Sequence, residues 1–98
     1  MMTSTVPAIV TSSALVYTGA CIFHGILMGT DGVNDPTITV YNNTSASGNK
    51  VIPTATYDAS LLGINGVTGM KQNCNNGLYV EITCAGSVEV VVQYAPLK

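Results

Sequence analysis

The clearest strand pattern in the chain is Leu78-Tyr79-Val80-Glu81-Ile82-Thr83-Cys84-Ala85-Gly86-Ser87-Val88-Glu89-Val90-Val91-Val92-Gln93-Tyr94. Leu78, Val80, Ile82 and Cys84 share one parity, while Tyr79, Glu81 and Thr83 share the other. Beyond Ala85-Gly86-Ser87 the apolar set is Val88, Val90, Val92 and Tyr94. A period of two marks a strand with one buried face, so the segment reads as two strands joined by a turn. A hairpin is the local expectation. A two-residue loop at Ala85-Gly86 sets Ile82 opposite Glu89 and mixes the faces. A three-residue loop sets Cys84 against Val88, Ile82 against Val90 and Val80 against Val92. A slip of one residue flips every side chain, so the apolar pattern selects the second register. Gly86 then supplies the left-handed residue of a bulged turn. Val91 is left on the outer face beside Glu81, either as an ordinary exposed valine or as part of a subunit contact.

Working outward, the same grammar recurs. Ala20 to Met28 is apolar on both parities, the expectation for a strand buried on both faces. Thr37 to Asn42 alternates, with Ile38 and Val40 on one face and Thr37, Thr39 and Tyr41 on the other. Lys50 to Thr56 contains Pro53, which places it on a sheet edge or at a bulge. Val67 to Lys71 reads as a short strand and Gln72 to Asn76 as a loop. Asp58 to Gly63 reads as one helical turn, with Asp58 as N-cap and Gly63 ending it. Thr30 to Pro36 and Asn42 to Asn49 are loops written in turn residues. Seven or eight short strands with turn signals between them predict an all-β fold, a single small antiparallel sandwich. Pairing between the N- and C-terminal strands would make it jelly-roll-like.

The chain has 98 residues, one domain's worth, with a 47% hydrophobic share that is ample for a core. Its oddity is charge. Three lysines, five carboxylates and no arginine make up the whole charged complement, against about a quarter of residues in an ordinary domain. Ser, Thr and Asn supply 27 residues, and Val, Ile and Thr supply 31. A net charge of −2 carried by so few groups gives weak protection against association. So few cations exclude a direct nucleic-acid role. The most apolar run, Ala20 to Met28, is about half the ~20 residues needed to span a bilayer. The first residues lack a basic region followed by an apolar block, so no secretory leader is expected. The sequons at Asn42 and Asn43 then carry no meaning.

Candidate chemistry is sparse. One histidine, His24, and three cysteines, Cys21, Cys74 and Cys84, have no metal-ligand or C-x-x-C spacing. They read as core thiols, or as one disulfide with a thiol left over. A reducing site of assembly favours free thiols, with Cys84 buried beside Ile82 and Val80. His24 reads as a hydrogen-bonded core or interface residue. Asp31, Asn34 and Asp35 could meet a cation, but their spacing is not that of an EF-hand and turn chemistry accounts for them. No nucleophile elbow, carboxylate pair or phosphate loop is present, so no enzyme and no cofactor is expected. Residues 1–13 form an uncharged N-terminal arm ahead of a sandwich domain at 14–98. Within the arm Val6, Ile9 and Val10 are the candidate partner-binding residues, able to contact a neighbouring subunit through an open strand edge.

The segments Ala20–Ile26, Thr37–Asn42 with Ser47-Gly48, Gly77–Val80 and Val90–Tyr94 together resemble small β-sandwich virion proteins of tailed bacteriophages, of the head-decoration (cement) or head-fibre type. The resemblance covers most of residues 14 to 94 at the level of pattern. It implies a structural protein bound to the major capsid protein on the head surface, commonly as a homotrimer, assembled in the bacterial cytoplasm. A neck or head-fibre component is the nearest alternative. A carbohydrate- or receptor-binding module is another, although the absence of Trp and the scatter of Tyr speak against a sugar platform.

Overall fold

The structure, a computed structural model, describes residues 6–60 and 64–97. The described chain is all strand and connection, packed as two antiparallel sheets. The strands are β1 (Val6–Val10), β2 (Ala14–Thr18), β3 (Cys21–Thr30), β4 (Thr37–Tyr41), β5 (Lys50–Thr56), β6 (Ile64–Val67), β7 (Gln72–Cys74), β8 (Gly77–Thr83) and β9 (Val88–Pro96). The first sheet runs β1-β9-β3-β6, with β7 also on β3, and the second runs β2-β8-β4-β5. β6 lies against Ile26–Gly29 and β7 against Cys21–Phe23, so the two act as one broken strand along β3. The chain thus pairs first with last, second with next-to-last, and so on inward to the β4–β5 hairpin. This winding is the jelly-roll arrangement, and the pairing of N- and C-terminal strands bears out the expected sandwich.

The hairpin expected at Leu78 to Tyr94 is not a hairpin. β8 bonds to β2 and β4, and β9 bonds to β1 and β3, so the turn at Ala85 to Ser87 carries the chain from one sheet to the other. The faces were read correctly all the same. Leu78, Val80, Val90 and Val92 are fully buried, Val88 and Tyr94 nearly so, and Glu89 is exposed. The two apolar rows meet face to face across the sandwich instead of side by side within a sheet. Parity cannot distinguish these, because both arrangements bury the same residues. Gly86 does not adopt a left-handed conformation. It is needed for a different reason: a Cβ there would run into the side chains of Asp31 and Asn34, which close over the turn.

β3 corrects a second expectation. It is buried on one face only, and its inward residues change parity from Cys21 and Phe23 to Ile26 and Met28. The register shifts between Phe23 and Gly25, where Gly25 has φ +142°. A bulge adds one residue and swaps the faces that follow it. That swap makes a one-sided strand look apolar on both parities.

Other boundaries move too. The short strand is Ile64–Val67, and Gln72–Cys74, expected as loop, pairs with β3 as β7. Pro53 does sit on an edge strand, beside register shifts in the β4–β5 pairing. Asp58 accepts bonds from the backbone and hydroxyl of Ser60, while the rest of the expected helical turn, residues 61–63, lies outside the described residues. Of the arm expected at 1–13, residues 1–5 lie outside the described residues and Val6–Val10 belongs to a sheet of the sandwich. Val6–Val10 is hydrogen-bonded to the chain's own β9, so the sandwich includes at least residue 6 onward. Removing residues 1 to 11 would therefore uncover the edge of β9 and expose Val90 and Val92.

Candidate functional site

With the inner faces committed to the core, what remains is two outer faces and the loops at each end. On the first sheet, Ile9 of β1, Val91 of β9 and Leu27 of β3 are directly opposed neighbours in three adjacent strands. Val90 and Val92 point inward, so Val91 points out, and its cross-strand partners share that face. Directly opposed side chains lie roughly 5 Å apart. The result is a continuous apolar row across three strands. Ile9 is 67% exposed at its free end, and Val91 and Leu27 are half-buried. Glu89 is the only charged residue on β1, β3 or β9.

The sequence-derived partner set is divided by this geometry. Ile9 belongs to the outward row. Val10 lies opposite Val90, and its side chain packs on the core. Val6 lies opposite Tyr94, and only its backbone is described. Val91, proposed to sit beside Glu81, sits between Ile9 and Leu27 instead, because β8 is in the other sheet. Leu27 escaped notice because its outward direction depends on the Gly25 bulge. A glycine within an apolar run was the available signal.

The outer face of the second sheet is built differently. Thr37 and Thr56 share a hydroxyl hydrogen bond of 2.7 Å, as do Thr39 and Thr54. Lys50 Nζ donates to Thr54 at 3.3 Å, and the Tyr41 hydroxyl donates to Glu81 Oε1 at 3.1 Å. Burial, and then the Glu81 carboxylate as bond partner and as neighbouring charge, raises the Tyr41 hydroxyl above its ordinary pKa. Thr39 is almost wholly buried under this network. The hydroxyls of Thr37, Thr39, Thr54 and Thr56 satisfy one another in pairs.

At the Thr30 end of the sandwich an open groove of about 630 Å³ is lined by Thr11, Thr30, Asp31, Ser87 and Glu89, among others. Of its two acids, Asp31 is already engaged. Asp31 Oδ1 accepts the backbone N–H groups of Asn34 at 2.8 Å and Val33 at 2.9 Å, while Oδ2 accepts the Asn34 amide at 2.7 Å. The backbone and then the side chain of Asn34, followed by the Val33 N–H, hold the Asp31 carboxyl down at about 2. Asp35 points elsewhere and accepts the Ala59 N–H at 2.9 Å. The structure does not gather Asp31, Asn34 and Asp35 around a cation; turn closure employs their oxygens. Among the described residues no group of three or more His, Cys, Asp or Glu could hold a metal ion.

His24 is half-buried, with Nδ1 3.1 Å from the Met70 carbonyl, and its own carbonyl accepts the Met70 N–H at 2.9 Å. It ties the β6–β7 connection to β3 and meets no carboxylate or nucleophile in doing so. Cys84 is half-buried, not fully buried, and its thiol reaches the Asn34 carbonyl at 3.7 Å. Among the described residues no helix is long and apolar enough to cross a membrane. In comparisons with known proteins, no family model matches this chain and no curated protein matches it significantly.

Proposed function

We propose that this chain is a non-catalytic structural subunit of a virion, a capsid decoration protein that stabilises the outer shell of a tailed phage head. The observation that carries this reading is the Ile9–Val91–Leu27 row on a face almost without charge. An apolar core with charged residues depleted is the compositional mark of a subunit interface. Jelly rolls build viral capsid and lectin domains alike, so the fold is compatible with the reading without selecting it. A homotrimer would present three copies of the face, and summed weak contacts would hold it on a symmetric shell. The sugar-binding alternative draws less support. Tyr41 is buried and its hydroxyl is committed to Glu81, so it offers no open stacking platform.

Mass spectrometry and imaging of purified particles test the proposal. Many copies spread over the head surface are the expected result. A single ring's worth at the neck or a fibre would assign the alternative position, and absence from particles would overturn the virion reading altogether.

A further inference from the structure

We infer that Cys21 and Cys74 form an oxidisable dithiol that closes into an intramolecular disulfide stapling β7 to β3, with Cys84 excluded. The placement carries the inference. Cys21 and Cys74 are direct cross-strand partners and both are buried, and the Cys74 thiol donates to the Gln72 carbonyl at 3.8 Å within β7. On the other side of β3, Cys21 faces Pro96, and the Leu97 N–H bonds to the Ala20 carbonyl at 3.0 Å. That pattern turns the N–H and C=O of Cys21 toward β7. Cys21–Cys74 is therefore a hydrogen-bonded pair, with Cα atoms roughly 5.5 Å apart, a separation at which cystines are commonly found.

Cys84 cannot compete. Its thiol contacts Asn34, in the loop following Thr30, whereas Cys21 begins β3 at the opposite end of the sandwich. Nine residues of strand separate Cys21 from Thr30, roughly 30 Å. The odd cysteine count thus resolves into one pair and one single thiol.

The chemistry needs a low-molecular-weight disulfide such as oxidised glutathione. Burial raises both thiols above their ordinary value, so the reaction starts from whichever is deprotonated as β7 opens. Where that is Cys21, its thiolate attacks one sulfur of the small disulfide, and the other sulfur leaves as a thiolate. Cys74 then loses its proton and attacks the Cys21 sulfur of the mixed disulfide, expelling the second small thiol. Two electrons pass from the protein to the oxidant, and the two thiol protons leave with the two reduced molecules. Access comes from opening of β7, a three-residue strand at the sheet edge.

The test treats the folded full-length protein with oxidised glutathione, alkylates residual thiols and maps the peptides. The expected product is a Cys21–Cys74 cross-link with Cys84 alkylated, formed faster in sub-denaturing urea and reversed by dithiothreitol. Closing so long a loop should raise Tm by about 10 °C. Cys84→Ser should leave the cross-link intact and Cys74→Ser should abolish it. Should Cys74→Ser fail to fold, the peptide map of the unsubstituted chain decides. A cystine containing Cys84, cross-linking only between chains, or two alkylatable thiols at Cys21 and Cys74 after prolonged oxidation would overturn the inference, and so would an unchanged or lowered Tm.

Discussion

The two outer faces of this sandwich are made from the same kind of antiparallel strand, yet they handle exposure in opposite ways. On the β4–β5 half of the β2-β8-β4-β5 sheet the threonine hydroxyls pair with one another and Tyr41 pairs with Glu81, so that half is satisfied within the monomer, while Leu15 stays exposed at the β2 edge. On the β1-β9-β3-β6 sheet the corresponding middle row is Ile9, Val91 and Leu27, which have no polar groups to satisfy and gain only by being covered. A side chain's chemistry thus says little until its row is known. Valines at 90, 91 and 92 are identical in composition, but one of the three belongs to a surface.

The largest expected effect contrasts neighbours on β9. Val90→Asp places an unpaired carboxylate in a fully buried position and should cost about 4 kcal/mol or more, measured by urea unfolding. Val91→Asp should stay within about 1 kcal/mol of the parent, and on the proposed homotrimer it should abolish self-association in sedimentation velocity. Equal destabilisation by both, or an intact oligomer in the second, would break the comparison of faces.

A smaller effect is expected from Gly25→Ala. The left-handed backbone there costs a non-glycine residue roughly 1–2 kcal/mol, and the added Cβ would collide with the Val67 carbonyl. Loss of hydrogen-exchange protection should appear first in β6. If protection is retained and stability is unchanged, the bulge does not set the outward direction of Leu27.

The smallest effect concerns the end loops and acid. Asp31 sits at about 2 in the folded protein against an ordinary 3.8. A depressed carboxylate contributes its stability above the ordinary value and loses it as pH falls toward the folded value. Asp58, lowered by the hydroxyl and N–H of Ser60, acts in the same direction. Stability should therefore decline between pH 3.8 and about 2, and Asp31→Asn should flatten that decline in thermal scans. An unchanged acid profile in Asp31→Asn would mean that the clamp on the β8–β9 turn does not depend on the carboxylate charge.

The alternation at Val88 to Tyr94 and at Ile38 and Val40, the edge position of Pro53 and the polar loops at residues 31–36 and 42–49 were legible because each is a local property. Strand periodicity, proline's missing donor and turn chemistry all act over a few residues. The partner of β8 was not legible. Cys84-to-Val88 pairing and the observed cross-sheet packing satisfy the same parity rule, and only long-range closure of β1 on β9 and β2 on β8 selects between them. The candidate site divides along the same line. Ile9 could be singled out as an apolar residue in an uncharged terminal segment and Val91 by its parity against Val90 and Val92, whereas Leu27 required the bulge, and the Cys21–Cys74 pair required β7.

The all-β class, the inward residues of β4, β8 and β9 and a surface almost without charge all follow from the order of residues alone. Backbone sterics and apolar transfer operate residue by residue, so composition and period suffice for these. Tertiary structure alone decided which strands are neighbours, and with them the apolar row, the thiol pair and the clamp over Gly86. Each joins residues far apart in the chain, and nothing local records the closure that brings them together.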